Sequence, residues 1–100
     1  MKKTLLASAF IVTTFVIAFA ASDGAALYNK CKACHGADGS KVPAGAKAAI
    51  KGQSAADLEK KLAGYKDGSF GGEKKAIMQR TASALSPEDM KALADYISKL

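Results

Sequence analysis

CKACHG, residues 31–36, holds both cysteines and the only histidine of a 100-residue chain. Four chemistries can use Cys31, Cys34 and His35. A disulfide between the two thiols suits an oxidising compartment. A thioredoxin-like redox pair is a variant that needs strands around the motif. A zinc site wants four ligands, and these three residues are the chain's only cysteines and histidine. The fourth is covalent attachment of a c-type haem, for which Cys-x-x-Cys-His is the pattern. Helical geometry favours the fourth. Positions i and i+3 share one helix face, so both thiols can add to the two vinyl groups along one porphyrin edge. His35, at i+4 from Cys31, projects to the same side, where an imidazole nitrogen can bind iron.

Upstream of the motif, Lys2 and Lys3 lead into the uncharged run TLLASAFIVTTFVIAFA (4–20), which ends in Ala18-Phe19-Ala20. A basic start, an apolar middle and a small-x-small ending describe a secretory signal peptide. Cleavage is expected after Ala20, with Ala21 as a one-residue alternative, which makes residues 1–20 a leader and 21–100 one domain. The rival is an uncleaved anchor, but Leu5 to Ala21 falls short of the roughly 20 residues needed to cross a bilayer.

Downstream, apolar residues recur at helical spacing in several stretches and no segment alternates with period two. Ser22 or Asp23 can cap a helix through GAALYNKCKAC (24–34). Residues 35–53, rich in Gly, read as loop. Ser54 can cap a second helix, with Leu58, Leu62 and Tyr65 as its buried stripe and Gly64 or Gly68 as its end. GSFGGEKK (68–75) reads as a flexible connection, and AIMQRTASA (76–84) is ambiguous between helix and loop. Ser86, Pro87, Glu88 and Asp89 start a final helix whose stripe is Met90, Leu93, Ala94 and Ile97. The expected fold is a small all-α domain of three to four helices around long loops.

Such a domain is short of core. Without the leader its only aromatics are Tyr28, Tyr65, Phe70 and Tyr96, and chains of this size usually need a staple or a cofactor. A flat apolar macrocycle would supply the missing interior. Loss of Lys2 and Lys3 lowers the formal net charge from +6 to +4. Arg80 is the only arginine, which argues against a nucleic-acid reader built on arginine forks. Scattered lysine suits a solvated surface or transient docking on an acidic partner.

If haem is present, its sixth ligand decides the function. Iron held by His alone keeps an open face for gases or peroxide, whereas His and Met together favour electron transfer. Met90 falls in the apolar stripe of the last helix and reads as core. Met78 follows the flexible segment and is the candidate second ligand, its plain alternative being a packing methionine. His35 needs a partner to fix its ring, and the carbonyl of Pro43 in the adjoining loop is expected to accept its Nδ1–H.

At DGAALYNKCKACHGADGSK (23–41), KGQSAADLEKKLAGYKDGSFGGEKKAIM (51–78) and LSPEDMKALADYISKL (85–100) the chain resembles the class I monohaem cytochromes c. Within them it is similar to the small c-553 type of sulfate-reducing bacteria. The resemblance implies helices wrapped around one haem c, with thioethers from Cys31 and Cys34 and iron ligation by His35 and Met78. It implies packing of the first helix on the last, with Gly24, Leu27 or Tyr28 meeting Leu93 and Tyr96. It also implies a one-electron carrier of the periplasm. Formate dehydrogenase is then the suggested donor, with hydrogenase as another donor and an oxidase or second cytochrome as acceptor. The expected carrier is a monomer, not an enzyme, and is not inserted in the membrane after cleavage. Lys30, Lys32, Lys41, Lys66, Lys74 and Lys75 could ring the thioether edge. Two rivals stand beside this reading: a haem peroxidase or gas-binding cytochrome with an open sixth position, and a disulfide-bearing binding module without haem. The stretch MQRTASA after Met78, uncharged except for Arg80, departs from the pattern of the type.

Overall fold

The computed structural model describes residues 22–100. The expected leader over residues 1–20 and its cleavage point lie outside the described residues. Among the described residues every regular element is helical: α1 (Gly24–Tyr28), α2 (Lys32–His35), α3 (Ala55–Asp67), α4 (Lys75–Ser83) and α5 (Pro87–Ser98). None of them is long and apolar enough to cross a membrane.

The ends of the longer helices follow from their capping residues. The Ser54 hydroxyl accepts from the Asp57 N–H at 3.2 Å and starts α3. Gly68, at φ 84°, takes the left-handed conformation that closes it, a geometry that costs glycine little. At α5 the exchange is reciprocal. Ser86 Oγ accepts from the Asp89 N–H at 3.0 Å, and the Asp89 carboxylate accepts from the Ser86 N–H at 3.2 Å. The Ser22 hydroxyl donates to the same carboxylate at 2.7 Å, which ties the start of the described chain to α5. These bonds, that of Ser22 foremost, hold the Asp89 carboxyl below the usual carboxylate range. Ser86→Ala is expected to cost about 1 kcal/mol, read as a lower urea midpoint at unchanged slope.

The segment 24–34 does not form one continuous helix. Asp23 caps α1 through the N–H groups of Ala25 and Ala26. Bonds over three residues, Asn29 N–H to Ala26 and Cys31 N–H to Tyr28, then tighten the chain and end the helix. A separate turn begins at Cys31, where His35 N–H reaches the Cys31 carbonyl at 2.9 Å. The break lets Tyr28 bury completely against α5 while Cys31 and His35 line a cavity. The ambiguous stretch 76–84 is helix, within α4.

α1 and α3 both pack on α5. Tyr28, Leu58, Leu62, Leu85, Met90, Leu93, Ala94 and Ile97 form the buried cluster, with Leu27, Cys31, Met78 and Tyr96 against it. The Tyr28 and Tyr96 rings lie 5.5 Å apart at 48°. The expected meeting of the first helix with Tyr96 is therefore present, and Gly24 is its closest point: a Cβ there would stand 2.7 Å from the Cβ of Tyr96. After α3 the chain folds back, and Phe70 N–H bonds the Gly64 carbonyl at 3.2 Å. Gly64 is thus not a helix end but the small residue that admits Phe70.

Candidate cofactor site

α2 is a single turn, and its position is set from both sides. The Tyr28 hydroxyl donates to the Gly36 carbonyl at 2.5 Å, just past the last residue of the turn. Lys41 N–H bonds the His35 carbonyl at 3.1 Å, and Lys41 Nζ reaches the Ala33 carbonyl at 3.3 Å. The motif thus sits between α1 and the long loop. Both thiols are free, Cys31 partly buried and Cys34 exposed. Burial, then the neighbouring Cys34, pushes the Cys31 thiol above its ordinary range.

Cys31 and His35 open onto a cavity in two lobes, of about 450 and 290 Å³. Met78 of α4 lines both lobes, as do Cys31 and His35. Cys34 and Pro43 line the smaller one only, and the floor of the larger is made by Leu58, Leu62, Leu93 and Ile97. Met90 lines neither lobe and is buried in the core, as its stripe position implies.

The donor set fits a haem. Two thiols, an imidazole and a thioether stand on the wall of one apolar cavity. His35 Nδ1 is buried with no hydrogen-bond partner, an atom in want of an acceptor or a ligand role. Burial lowers the pKa of His35 and so favours the neutral imidazole, the form that binds a metal. The expected bond from His35 to Pro43 is not formed in this structure. The Pro43 carbonyl instead accepts the Ala46 N–H at 3.0 Å, closing a turn of its own loop.

Several lining residues were not visible in the sequence. Gln53, Lys61, Tyr65, Phe70 and Thr81 come from α3, α4 and the segments beside α3, and only the packing of those segments brings them together. Tyr65 and Phe70 pack edge to face at 5.0 Å. Among the lysines expected around the motif, Lys30, Lys74 and Lys75 line the smaller lobe with Cys34. Lys32, Lys41 and Lys66 line neither lobe, and the Lys66 Nζ bonds the Leu85 carbonyl at 2.8 Å, beyond the end of α4.

Fold and site together define a small all-α domain with the donor set for a covalently attached haem. Residues 21–100 match the cytochrome c family. The chain is 60% identical over 85 residues to cytochrome c-553 of Nitratidesulfovibrio vulgaris, covering 85% of this chain and 83% of that protein. It is 45% identical over 75 residues to cytochrome c-553 of Desulfomicrobium norvegicum, covering 74% and 91%. It is 40% identical over 100 residues to cytochrome c-553 of Helicobacter pylori, covering 100% and 99%. The chain belongs to the cytochrome c family, with its likeness to the class I monohaem c-553 type. It is an electron-transfer protein carrying covalently bound haem c, and not an enzyme, which sets the peroxidase alternative aside.

Proposed function

We propose that the chain is a periplasmic one-electron carrier with His35 and Met78 as the two axial ligands of its haem iron. The observation that carries this reading is the placement of Cys31, His35 and Met78 on both lobes of one cavity, with Met90 on neither. Haem, when bound, supplies an iron centre that gains and gives up a single electron. Cys31 and Cys34 would each add a thiol S–H across one vinyl group, making the two thioethers. His35, on the single turn of α2 and with its neutral form favoured by burial, would offer a nitrogen lone pair. Met78 would offer a thioether from α4 and, bound to the iron, would keep small molecules out. Met78 packs against the core cluster, which would hold its thioether in place through a change of one charge.

The leader pattern of residues 1–20 supports export to the periplasm. The lysines beside Cys34, with the exposed Ile77 among them, suit a small and salt-sensitive contact with an acidic partner. The carrier acts as a monomer. It accepts electrons from a periplasmic dehydrogenase such as formate dehydrogenase, or from a hydrogenase, and passes them to an oxidase or another cytochrome.

The visible spectrum of the oxidised protein tests the ligand set. The weak red band of methionine-to-iron ligation is expected in the wild type and lost in Met78→Ala, with the haem still covalently attached. A band that survives in Met78→Ala moves the ligand elsewhere and overturns the assignment.

A further inference from the structure

The stretch MQRTASA (78–84), uncharged except for Arg80, makes up most of α4, the helix that carries Met78. That helix is weakly secured at its start. Lys74 at the N-cap makes no side-chain bond, and the first turn holds no acidic residue. Lys75 opens the helix, where the dipole disfavours a cation. Two hydroxyls further along turn back on the helix's own carbonyls. Thr81 Oγ1 donates to the Ile77 carbonyl at 2.9 Å, and Ser83 Oγ to the Gln79 carbonyl at 2.7 Å. A hydroxyl that shares a carbonyl with the N–H of its own residue bends a helix locally. The two bonds differ in place. Thr81 stands three positions after Met78, on the same helix face, and lines both lobes with it. Ser83 is exposed and lines neither. The carbonyl that Thr81 holds belongs to the Ile77–Met78 peptide, so its tilt turns the direction in which the Met78 side chain leaves the backbone.

We infer that Thr81 is a positioning residue for Met78: its hydroxyl, through the Ile77 carbonyl, aims the thioether at the sixth position and so sets how firmly that ligand is held. The inference rests on Met78 as the second axial ligand and adds what keeps it in place. Without the hydroxyl, the Ile77 carbonyl returns to the N–H of Thr81 alone and the turn from Ile77 to Thr81 relaxes toward a straight helix. The thioether, which stands inside that turn, then leaves its backbone at a changed angle, and the distance to its target is no longer matched. Among the described residues the only other hydroxyl on the cavity wall is that of Tyr65, which belongs to α3 and not to the helix of Met78.

Displacement of Met78 by imidazole in the oxidised holoprotein tests this, with the rate read at saturating imidazole and the red band recorded beforehand. At saturation the rate reports departure of the thioether. In Thr81→Val, which keeps the branched shape and removes the hydroxyl, the rate is expected to rise about fivefold, the worth of one ordinary hydrogen bond, and the red band to weaken or shift. Thr81→Ser keeps the hydroxyl and is expected to restore the wild-type rate and band. Ser83→Ala removes the matching bond away from the cavity and is expected to leave both unchanged. Thr81→Ala, a good helix former, covers the case in which Thr81→Val does not fold and is expected to speed displacement in the same way. An unchanged rate and band in folded Thr81→Val, or an equal acceleration in Ser83→Ala, overturns the inference and leaves the Met78 assignment standing. A red band missing from the wild type, with imidazole binding that rises linearly with concentration and never saturates, removes the Met78 assignment and this inference with it.

Discussion

Cys31→Ala combined with Cys34→Ala is expected to free the haem from its covalent hold and, once the haem is extracted, to leave a chain with no cooperative thermal transition. The reason lies in what lines the cavity. Leu58, Leu62, Leu93 and Ile97 belong to the buried cluster and also form the floor of the larger lobe. The same side chains therefore pack on the helices from one side and on the cofactor from the other. Burying about 400 Å² of apolar macrocycle contributes on the order of 10 kcal/mol at about 25 cal/mol per Å². That is comparable with the whole stability of a small domain, about 5–15 kcal/mol. In the wild type the two thioethers make the loss impossible short of breaking carbon–sulfur bonds. Acid–organic extraction followed by intact mass checks the first half: the wild type keeps the haem mass and the double variant sheds it. Calorimetry of the extracted variant checks the second half. A sharp transition at the wild-type temperature would mean that the cavity is no part of the core.

The parts of this arrangement that were legible in the sequence are those carried by single residues with few alternatives. CKACHG pointed to an attachment site because the chain has no cysteine or histidine outside it. Ser54 and Ser86-Pro87 named two helix starts because a capping side chain acts on its own backbone, within one turn. Met90 was separable from Met78 because a strong apolar stripe surrounds the first and not the second. The break between α1 and α2 was hidden, since Leu27, Tyr28, Cys31 and Cys34 also satisfy the spacing of one continuous helix. What ends α1 is a pair of backbone bonds and the reach of Tyr28 to Gly36, and neither leaves a periodic trace. Gln53 and Lys61 were equally hidden. Lys61 falls on a polar position of α3, and its half-buried setting depends on Phe70 folding back over Gly64. The bond from Lys66 Nζ to the Leu85 carbonyl was hidden for the same reason, because its partner lies 19 positions away.

Gly24→Ala is the second substitution with a large expected effect, although it adds one methyl to the first residue of a five-residue helix. An added Cβ would overlap the Ala92 carbonyl oxygen and stand 2.7 Å from the Cβ of Tyr96. Neither obstacle can be trimmed. The first is backbone, and the second persists in every residue but glycine. α1 would have to back away from α5, yet it is held there at both ends, by Ser22 on Asp89 and by Tyr28 against Tyr96. Overpacking of this kind costs about 3 kcal/mol, the upper part of the usual range, and the better helix propensity of alanine offsets less than 1 kcal/mol of it at a helix start. At roughly 4–8 °C per kcal/mol for a domain of this size, the holoprotein is expected to melt roughly 15 °C lower. Ala26→Ser, an exposed change in the same helix, is expected to stay within about 0.5 kcal/mol of the wild type. The damage should also reach the cofactor. Tyr28 cannot keep its bond to the Gly36 carbonyl if α1 lifts, and that bond fixes the end of the turn that bears His35. Thermal loss of the red band is therefore expected to shift downward in step with the calorimetric transition. Equal melting of Gly24→Ala and Ala26→Ser would show that α1 does not cross α5 at this distance, and that the attachment turn is positioned by the loop alone.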